Sequence, residues 1–184
     1  MIKIAYPLVD EISFNGVSYA LDLSFDNVLR LFEMFDDKRI SNHVKIETAL
    51  KMLIGDDLGD LSIEEKDKVL FEIIDNVVTG EDDEEIIEYD LAGNPMPVQH
   101  DEDEVVFDMI QDSEYIFSSF MYDYGINLIK EQGKLHWYEF KSLLNGLSED
   151  SKLMRVIDIR TMDTPKKGKE REQVIKLKKH YALK

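Results

Sequence analysis

The sequence is organised around residues 115–147, which read YIFSSFMYDYGINLIKEQGKLHWYEFKSLLNGL. The only tryptophan, Trp137, lies here among a dense set of other aromatic residues. Apolar residues recur at steps of three and four from Met109 to Tyr124, before Gly125, and again after His136, so we predict two amphipathic helices with a short connecting segment. This spacing predicts that the aromatic side chains form the core of a C-terminal helical unit. They would form a partner groove only if contiguous apolar area stayed exposed.

The N-terminal residues predict a β-hairpin. Asn15 and Gly16 separate two short runs of alternating apolar residues, and an Asn-Gly pair favours the positive φ angles of a tight turn. Phe14, Tyr19 and Leu21 fall in these runs, so we expect one face of the hairpin to be buried.

Three amphipathic helices are predicted after the hairpin. Ser24 offers an N-cap to the first helix, and a second helix is predicted over about residues 42–54 with Gly55 as its C-terminal stop. Ser62 and Glu65 have the spacing of a capping box at the start of the third helix, which we expect to end near Gly80. The apolar stripes of the three helices consist of Phe25, Val28, Leu29, Phe32 and Phe35, then Ile46, Ala49, Leu50, Leu53 and Ile54, then Val69, Leu70, Ile73, Ile74 and Val77.

Residues 81–104 interrupt this pattern. They combine runs of Asp and Glu with Gly93, Pro95 and Pro97, which is typical of a solvated linker or loop, although residues 86–89 have the composition of a short strand. We therefore predict an N-terminal unit over residues 1–80 with the hairpin and three helices. An acidic linker over residues 81–104 and a C-terminal helical unit over residues 105–184 follow it.

The C-terminal unit closes with two further predicted helices. Residues 148–150 are interpreted as the cap of a helix that carries Leu153, Val156 and Ile157. Pro165 and Gly168 interrupt the chain before a basic terminal helix. The fold class is therefore mainly α, with a small N-terminal β-hairpin.

Charge is distributed unevenly along the chain. Residues 1–112 hold 8 Lys and Arg against 29 Asp and Glu, whereas residues 113–184 hold 14 against 10, within a net charge of −17. Phosphate binding needs cations that release counterions, so the first half is a poor partner for duplex nucleic acid. The C-terminal cations, including Lys166, Lys167 and Arg171, would suit nucleic acid, an acidic partner or this chain's own acidic half, or they form a solvated helix face.

Composition also bears on the compartment. The chain has no cysteine, which excludes disulfides, thiolate metal sites and thiol nucleophiles. The N-terminus lacks the apolar core of a signal peptide, and no later run approaches the length of a membrane span. We expect a soluble, cytoplasmic protein without a membrane partner.

No pattern in the sequence indicates a catalytic, cofactor or metal site. Residues 56–60 and 101–104 lack the ligand spacing and glycine of a calcium loop. The four histidines, His43, His100, His136 and His180, are not paired at helical spacing, and no HExxH, GxSxG or GxxxxGK[ST] motif occurs. His136 precedes Trp137 at a predicted helix start, where we expect a capping or stacking role. The sequence therefore predicts a binding protein that is not an enzyme and uses no cofactor.

Six phrases of the C-terminal half occur together in a known family. They are Tyr115-Ile116 with Ser119-Phe120, Tyr124-Gly125-Ile126, Leu135-His136-Trp137, Phe140-Lys141 with Leu143-Leu144, Ile159-Arg160-Thr161-Met162, and Lys178-Lys179 with Tyr181-Ala182-Leu183. In these phrases the chain resembles the bacteriophage "gene product 15" family of siphophages and prophages of Gram-positive bacteria. The phrases cover about residues 115–183, whereas residues 1–80 match only as a hairpin followed by helices.

The resemblance implies a small, non-enzymatic phage protein encoded in the tail gene cluster, near the tail-tube and tape-measure genes. Tail assembly chaperones are usually encoded there, and they hold apolar segments of the tape-measure protein before the tube polymerises around it. We therefore expect a phage or prophage tail morphogenesis protein, a tail assembly chaperone in the cytoplasm of the bacterial host. Its expected partners are phage tail proteins, above all the tape-measure protein, with self-association as a further alternative. Two other functions stay open, namely a structural tail or tail-completion component of the virion and a nucleic-acid-related or DNA-mimic regulator.

Overall fold

The computed structural model describes residues 5–8, 10–75 and 106–184 of the chain. They fall into two compact units, one within Met1–Asp22 and Lys38–Glu104 and the other within Leu23–Asp37 and Val105–Lys184. We call these unit 1 and unit 2. The predicted linker at residues 81–104, the short strand at residues 86–89 and the helix end near Gly80 lie outside the described residues, so all three stay predictions.

The described residues are mainly helical with a small antiparallel hairpin, which confirms the predicted fold class. The elements in chain order are β1 (Glu11–Phe14), β2 (Val17–Ala20), α1 (Phe25–Asp36), α2 (Asn42–Ile54), α3 (Ile63–Ile73), α4 (Ser113–Asp123), α5 (Trp137–Asn145), α6 (Lys152–Thr161) and α7 (Lys169–Tyr181). Within the described ranges, every helix is too short or too polar to cross a bilayer.

The hairpin of unit 1 has the predicted turn. β1 and β2 pair with Phe14 opposite Val17, and the two residues between them, Asn15 and Gly16, have φ angles of 49° and 77°. Positive φ at both central positions gives the turn a twist that matches the flanking strands, and an Asn-Gly pair adopts it at low cost. Phe14 and Tyr19 are half-buried, which agrees with the predicted one-sided burial.

The helices α2 and α3 pack against each other in unit 1. Gly55 ends α2 in a left-handed conformation with a φ of 72°. Ser62 and Glu65 form the predicted capping box at the start of α3, through hydrogen bonds of 3.3 and 2.9 Å. Lys66 lies on the buried stripe of α3, and its Nζ reaches Glu47 Oε1 of α2 at 2.9 Å. The core of the helix pair consists of Ala49, Leu50, Leu53, Val69, Leu70 and Ile73.

The helix α1 belongs to unit 2, although the sequence places it in a unit over residues 1–80. Phe25 N donates to Leu135 O over 3.0 Å, and Trp137 N donates to Leu23 O over 2.8 Å. Gly133 N also donates to Asp26 Oδ1 over 2.7 Å, across 107 positions of sequence. The periodicity of α1 predicts a buried face but carries no information on which distant segment covers that face.

The other helices of unit 2 assemble around α4 and α5. The helix α4 packs against α6, α1 and α4 each pack against α5, and α6 packs against α7. This arrangement buries one face of every helix except α7, in which no residue is buried. The core consists of Phe25, Val28, Leu31, Ile116, Phe120, Trp137, Phe140, Leu144, Leu153 and Val156.

The helix α4 begins later than the sequence predicts. The pattern that begins at Met109 becomes α-helix only at Ser113, because residues 109–112 form turns that bond to Asp108 Oδ1 through the amides of Ile110 and Gln111.

The cap of α6 is Ser151, so the predicted cap at residues 148–150 was wrong. Ser151 Oγ accepts a hydrogen bond of 3.4 Å from Met154 N. Ser148 instead donates to the Asp123 carboxylate through both its amide and its hydroxyl, over 2.8 and 2.7 Å. Residues 148–151 include several good capping types, and the tertiary contact with Asp123 decides among them.

Candidate functional site

Three aromatic residues of the central stretch, Phe120, Trp137 and Phe140, lie in the core of unit 2, as predicted, whereas Tyr122 is exposed. Phe140 lies at their centre, and its ring stacks with those of Phe25, Phe120 and Trp137 at centroid distances of 5.0, 5.3 and 5.7 Å. Phe32 adds an edge contact with Trp137 at 5.7 Å. Each such pair contributes about 0.5–1.5 kcal/mol beyond the burial of its area. These rings therefore hold α1, α4 and α5 together.

His136 is the N-cap of α5, in agreement with the capping role that the sequence predicts. Its Nδ1 accepts a hydrogen bond of 3.0 Å from Tyr138 N, and its own amide donates to Glu139 Oε2 over 3.1 Å. The imidazole also contacts the Tyr138 ring at a centroid distance of 5.3 Å. These bonds satisfy amides that a helix start leaves without intrahelical partners.

Ser119 acts as a second cap for α6, from the neighbouring helix α4. Leu153 N donates to Ser119 Oγ over 2.9 Å, and Ser119 Oγ donates to Tyr115 O over 2.7 Å. The side chain is fully buried, so water does not compete for these bonds. One hydroxyl thus satisfies an amide of the first turn of α6 and fixes α6 against α4.

A buried ion pair joins the N-cap of α4 to the last turn of α6. Arg160 Nη1 and Nη2 donate to the two carboxylate oxygens of Asp112 over 2.6 and 2.7 Å. Their side chains are 9% and 1% exposed, respectively. A bidentate pair of this kind fixes orientation as well as distance. The Asp112–Arg160 pair therefore sets the geometry between the two helices.

The same pair holds the C-terminal end of the chain. Arg160 Nε donates to Tyr181 O over 2.6 Å, and Arg160 Nη1 also donates to Val106 O over 2.9 Å. The Gln111 side chain adds two hydrogen bonds to the terminal segment. Its Nε2 donates to Ala182 O, and its Oε1 accepts from Lys184 N. We call Asp112, Arg160 and Gln111 the C-terminal clasp.

The clasp changes the acidity of its own carboxyl group. Burial would raise the pKa of Asp112, but the hydrogen bonds from Arg160 and the Asp108 amide, together with the Arg160 charge, outweigh it and lower the pKa below its ordinary value. The carboxylate therefore stays ionised inside the protein. Tyr124 shows the opposite case, since burial and the neighbouring Asp123 carboxylate raise its phenol pKa.

Unit 2 contains an apolar pocket of about 380 Å³ next to this core. Its walls come from α1, α4 and the turns of residues 126–132, and the buried ring of Phe140 contributes to its inner surface. Ile129 is 67% exposed at this pocket. The described lining residues are Phe25, Leu29, Met109, Ser113, Glu114, Ile116, Phe117, Leu128, Ile129, Gln132 and Phe140. Accessible apolar area thus adjoins the aromatic core, and a partner groove requires exposed apolar area of this kind.

The helix α7 presents a basic surface. Lys176, Lys178 and Lys179 lie in its second half, and none of them forms an ion pair within the part of the chain that the structure describes. The helix is fixed at its end by Lys152, whose Nζ donates to Tyr181 Oη over 3.1 Å and lies over the rings of Tyr115 and Tyr181.

The candidate acidic segments have structural partners or lie outside the described residues. In residues 56–60, Asp57 pairs with Lys51 at 2.7 Å, and Asp56 Oδ1 accepts a hydrogen bond from Leu58 N. Residues 101–104 are not described. No group of three or more His, Asp and Glu residues suited to a metal ion occurs in the described ranges.

The remaining histidines do not converge on a site. His43 Nε2 lies 3.6 Å from Glu47 Oε1 on α2, and the His180 ring makes an edge contact with Tyr181 on α7. His100 lies outside the described residues.

No local sequence motif predicts the structural roles of Asp112, Arg160 and Ser119. A signal for Arg160 was present, because it follows Leu153, Val156 and Ile157 at helical spacing on the apolar stripe of α6. A cation on an apolar stripe is rarely buried unless it is paired. Lys66 shows the same signal on α3, where Val69, Leu70 and Ile73 share its face.

Comparison with known proteins supplies the identity of the family. The family model for Bacteriophage Gp15 protein matches residues 5–183, which is nearly the whole chain and includes the N-terminal residues that the sequence phrases did not cover. Comparison with curated proteins and with solved structures gives no match. The matched range spans both units, and the chain is a phage protein that belongs to the Bacteriophage Gp15 protein family.

Proposed function

We propose that this phage protein is a tail assembly chaperone that binds the tape-measure protein before the tail tube forms around it. The observation that carries the proposal is the apolar pocket of unit 2 with Ile129 exposed beside it. Membership of the family supports it, because the resemblance implies a protein encoded beside the tail-tube and tape-measure genes. The proposal assigns no catalytic step to the protein and places its action in the bacterial cytoplasm.

The pocket suits a long helical partner with an apolar stripe, such as a tape-measure protein. A long helical protein presents apolar side chains at i, i+3, i+4 and i+7, and such a stripe binds by inserting side chains into an apolar groove. Leu29 and Phe117 offer half-buried apolar surface from two different helices. Met109 adds a flexible side chain that adapts to partners of different shape.

The charge of the whole chain supports the same function. The net charge of −17 would keep a complex with an aggregation-prone helical protein in solution.

The size of the pocket also suits a chaperone. A chaperone of this type needs reversible binding, and a pocket of this size buries only part of a partner's apolar stripe.

Co-expression with the tape-measure protein of the same phage tests the proposal. We expect the soluble fraction of the tape-measure protein to rise severalfold and the two proteins to co-purify. Ile129→Glu should abolish both effects, because it places a charge in the apolar pocket. Tyr122→Glu is the matched control, since Tyr122 is 69% exposed on α4 and does not line the pocket. An unchanged soluble fraction without co-purification would reject the chaperone.

Mass spectrometry of purified phage particles separates the chaperone from a structural tail component. A chaperone leaves the complex as the tube forms, so we expect its peptides to be absent or far below the level of tail proteins. A structural or tail-completion protein would be present in fixed proportion to the tail. That result would replace the chaperone proposal with the structural one.

A further inference from the structure

The apolar pocket of unit 2 has a carboxylate at its edge. Glu114 is the one charged side chain among the described residues that line the pocket, and the other polar ones, Ser113 and Gln132, are neutral. Glu114 is exposed in the first turn of α4 and forms no ion pair in the described ranges. The edge therefore has a negative charge that is available to a partner.

The walls of the pocket favour a helix over an extended peptide. An extended peptide binds by pairing its backbone with an open strand edge. The described walls consist of helices and turns, whose backbone groups already bond internally, as in Ile116 N to Asp112 O over 2.9 Å and Glu131 N to Leu128 O over 3.2 Å. A helix satisfies its own backbone and presents only side chains.

The volume limits how much of that helix enters. About 380 Å³ lies at the low end of the range of roughly 300–1,000 Å³ for ligand pockets. The space therefore takes a few large side chains and not a whole helix. Side chains one turn apart share a face and enter together.

We propose that the pocket binds two large apolar side chains, one turn apart, from an amphipathic helix whose same face carries a lysine or arginine that pairs with Glu114. This inference rests on the proposed function and names the chemical class of the tape-measure segment that the chaperone holds. The Glu114 carboxylate also repels an acidic helix, so it disfavours acidic partners as well as attracting basic ones.

A displayed library of helical peptides about five turns long tests the inference on the full-length protein. The library varies two apolar positions one turn apart, with Leu, Ile, Phe, Met or Ala, and a third position with Lys, Gln or Glu. We expect wild-type protein to enrich large apolar pairs over Ala, and Lys over Glu by roughly two- to fivefold. Glu114→Lys should reverse the charge preference and keep the apolar one. Ile129→Glu should lose both, and Tyr122→Glu should keep both.

Enrichment that is the same for wild type and Ile129→Glu would overturn the inference, as would a Lys preference that survives Glu114→Lys. A second copy as the occupant would appear in sedimentation as a dimer that Ile129→Glu dissociates, and that result would also overturn it. Failure of the proposed function gives a different result from failure of this inference. The library would still select basic apolar helices while the tape-measure protein failed to co-purify.

Discussion

The buried pair of Asp112 and Arg160 connects two helices and the C-terminal end of unit 2. Arg160→Ala removes the cation and leaves a carboxylate that is 1% exposed without its partner. Loss of one partner of a buried pair costs about 3–5 kcal/mol, so we expect the free energy of unfolding of unit 2 to fall by that amount. Urea denaturation followed by the fluorescence of Trp137 measures this, because the only tryptophan lies in unit 2.

Arg155 provides the control on the same helix. Its partner Asp150 lies at 2.9 Å, but the two side chains are 62% and 75% exposed. Exposed pairs contribute about 0–1 kcal/mol, so Arg155→Ala should leave the urea midpoint almost unchanged. Equal losses for Arg155→Ala and Arg160→Ala would show that the clasp has no special role.

The lowered pKa of Asp112 makes the stability of unit 2 depend on pH in a definite direction. Because the folded pKa lies below the unfolded value of about 3.9, the carboxylate stabilises the fold fully above that pH. Its contribution is lost as the pH falls through the folded pKa. We therefore expect the stability gap between wild type and Asp112→Asn to be constant from pH 7 to about pH 5 and to shrink below about pH 4. Urea titrations at several pH values measure this gap, and a gap that widens on acidification would contradict the assignment.

At the scale of elements, the start of α6 depends on a hydroxyl supplied by α4. Ser119→Ala removes the acceptor of the Leu153 amide in a fully buried position. A buried amide without a partner costs about 1–3 kcal/mol, and we expect unit 2 to lose that much in urea denaturation. Ser118→Ala is the matched control, because the Ser118 hydroxyl also donates to Tyr115 O but is exposed. A loss for Ser118→Ala as large as that for Ser119→Ala would contradict the capping role of Ser119.

The ends of the elements show how far local sequence information reaches. The hairpin turn at Asn15-Gly16, the capping box of Ser62 and Glu65 and the His136 cap all depend on residues within three positions of one another, and the sequence predicts each of them. Ser119 Oγ accepts a hydrogen bond from the amide of Leu153, which lies 34 positions later, and no local pattern contains that pairing. The misplaced cap of α6 has the same cause, since Ser148 binds Asp123 from another helix.

At the scale of the whole molecule, the division into units was the hardest feature to predict. The apolar stripe of α1 was identified from the sequence, but Phe25 stacks on Phe140, 115 positions later. The pocket has the same origin, because Leu29, Phe117 and Ile129 come from three separate segments. Sequence periodicity places Leu29 and Phe117 on apolar helix faces but predicts nothing for Ile129 in the connecting segment. Tertiary packing brings the three side chains together at an accessible pocket.

We propose that the pocket of unit 2 binds the tape-measure protein. The most direct measurement is the amount of tape-measure protein that co-purifies with equal amounts of wild-type, Ile129→Glu and Tyr122→Glu protein after co-expression. Unchanged fluorescence of Trp137 shows that each variant is folded. We predict near-complete loss for Ile129→Glu and wild-type recovery for Tyr122→Glu. Equal recovery with all three proteins would contradict the claim.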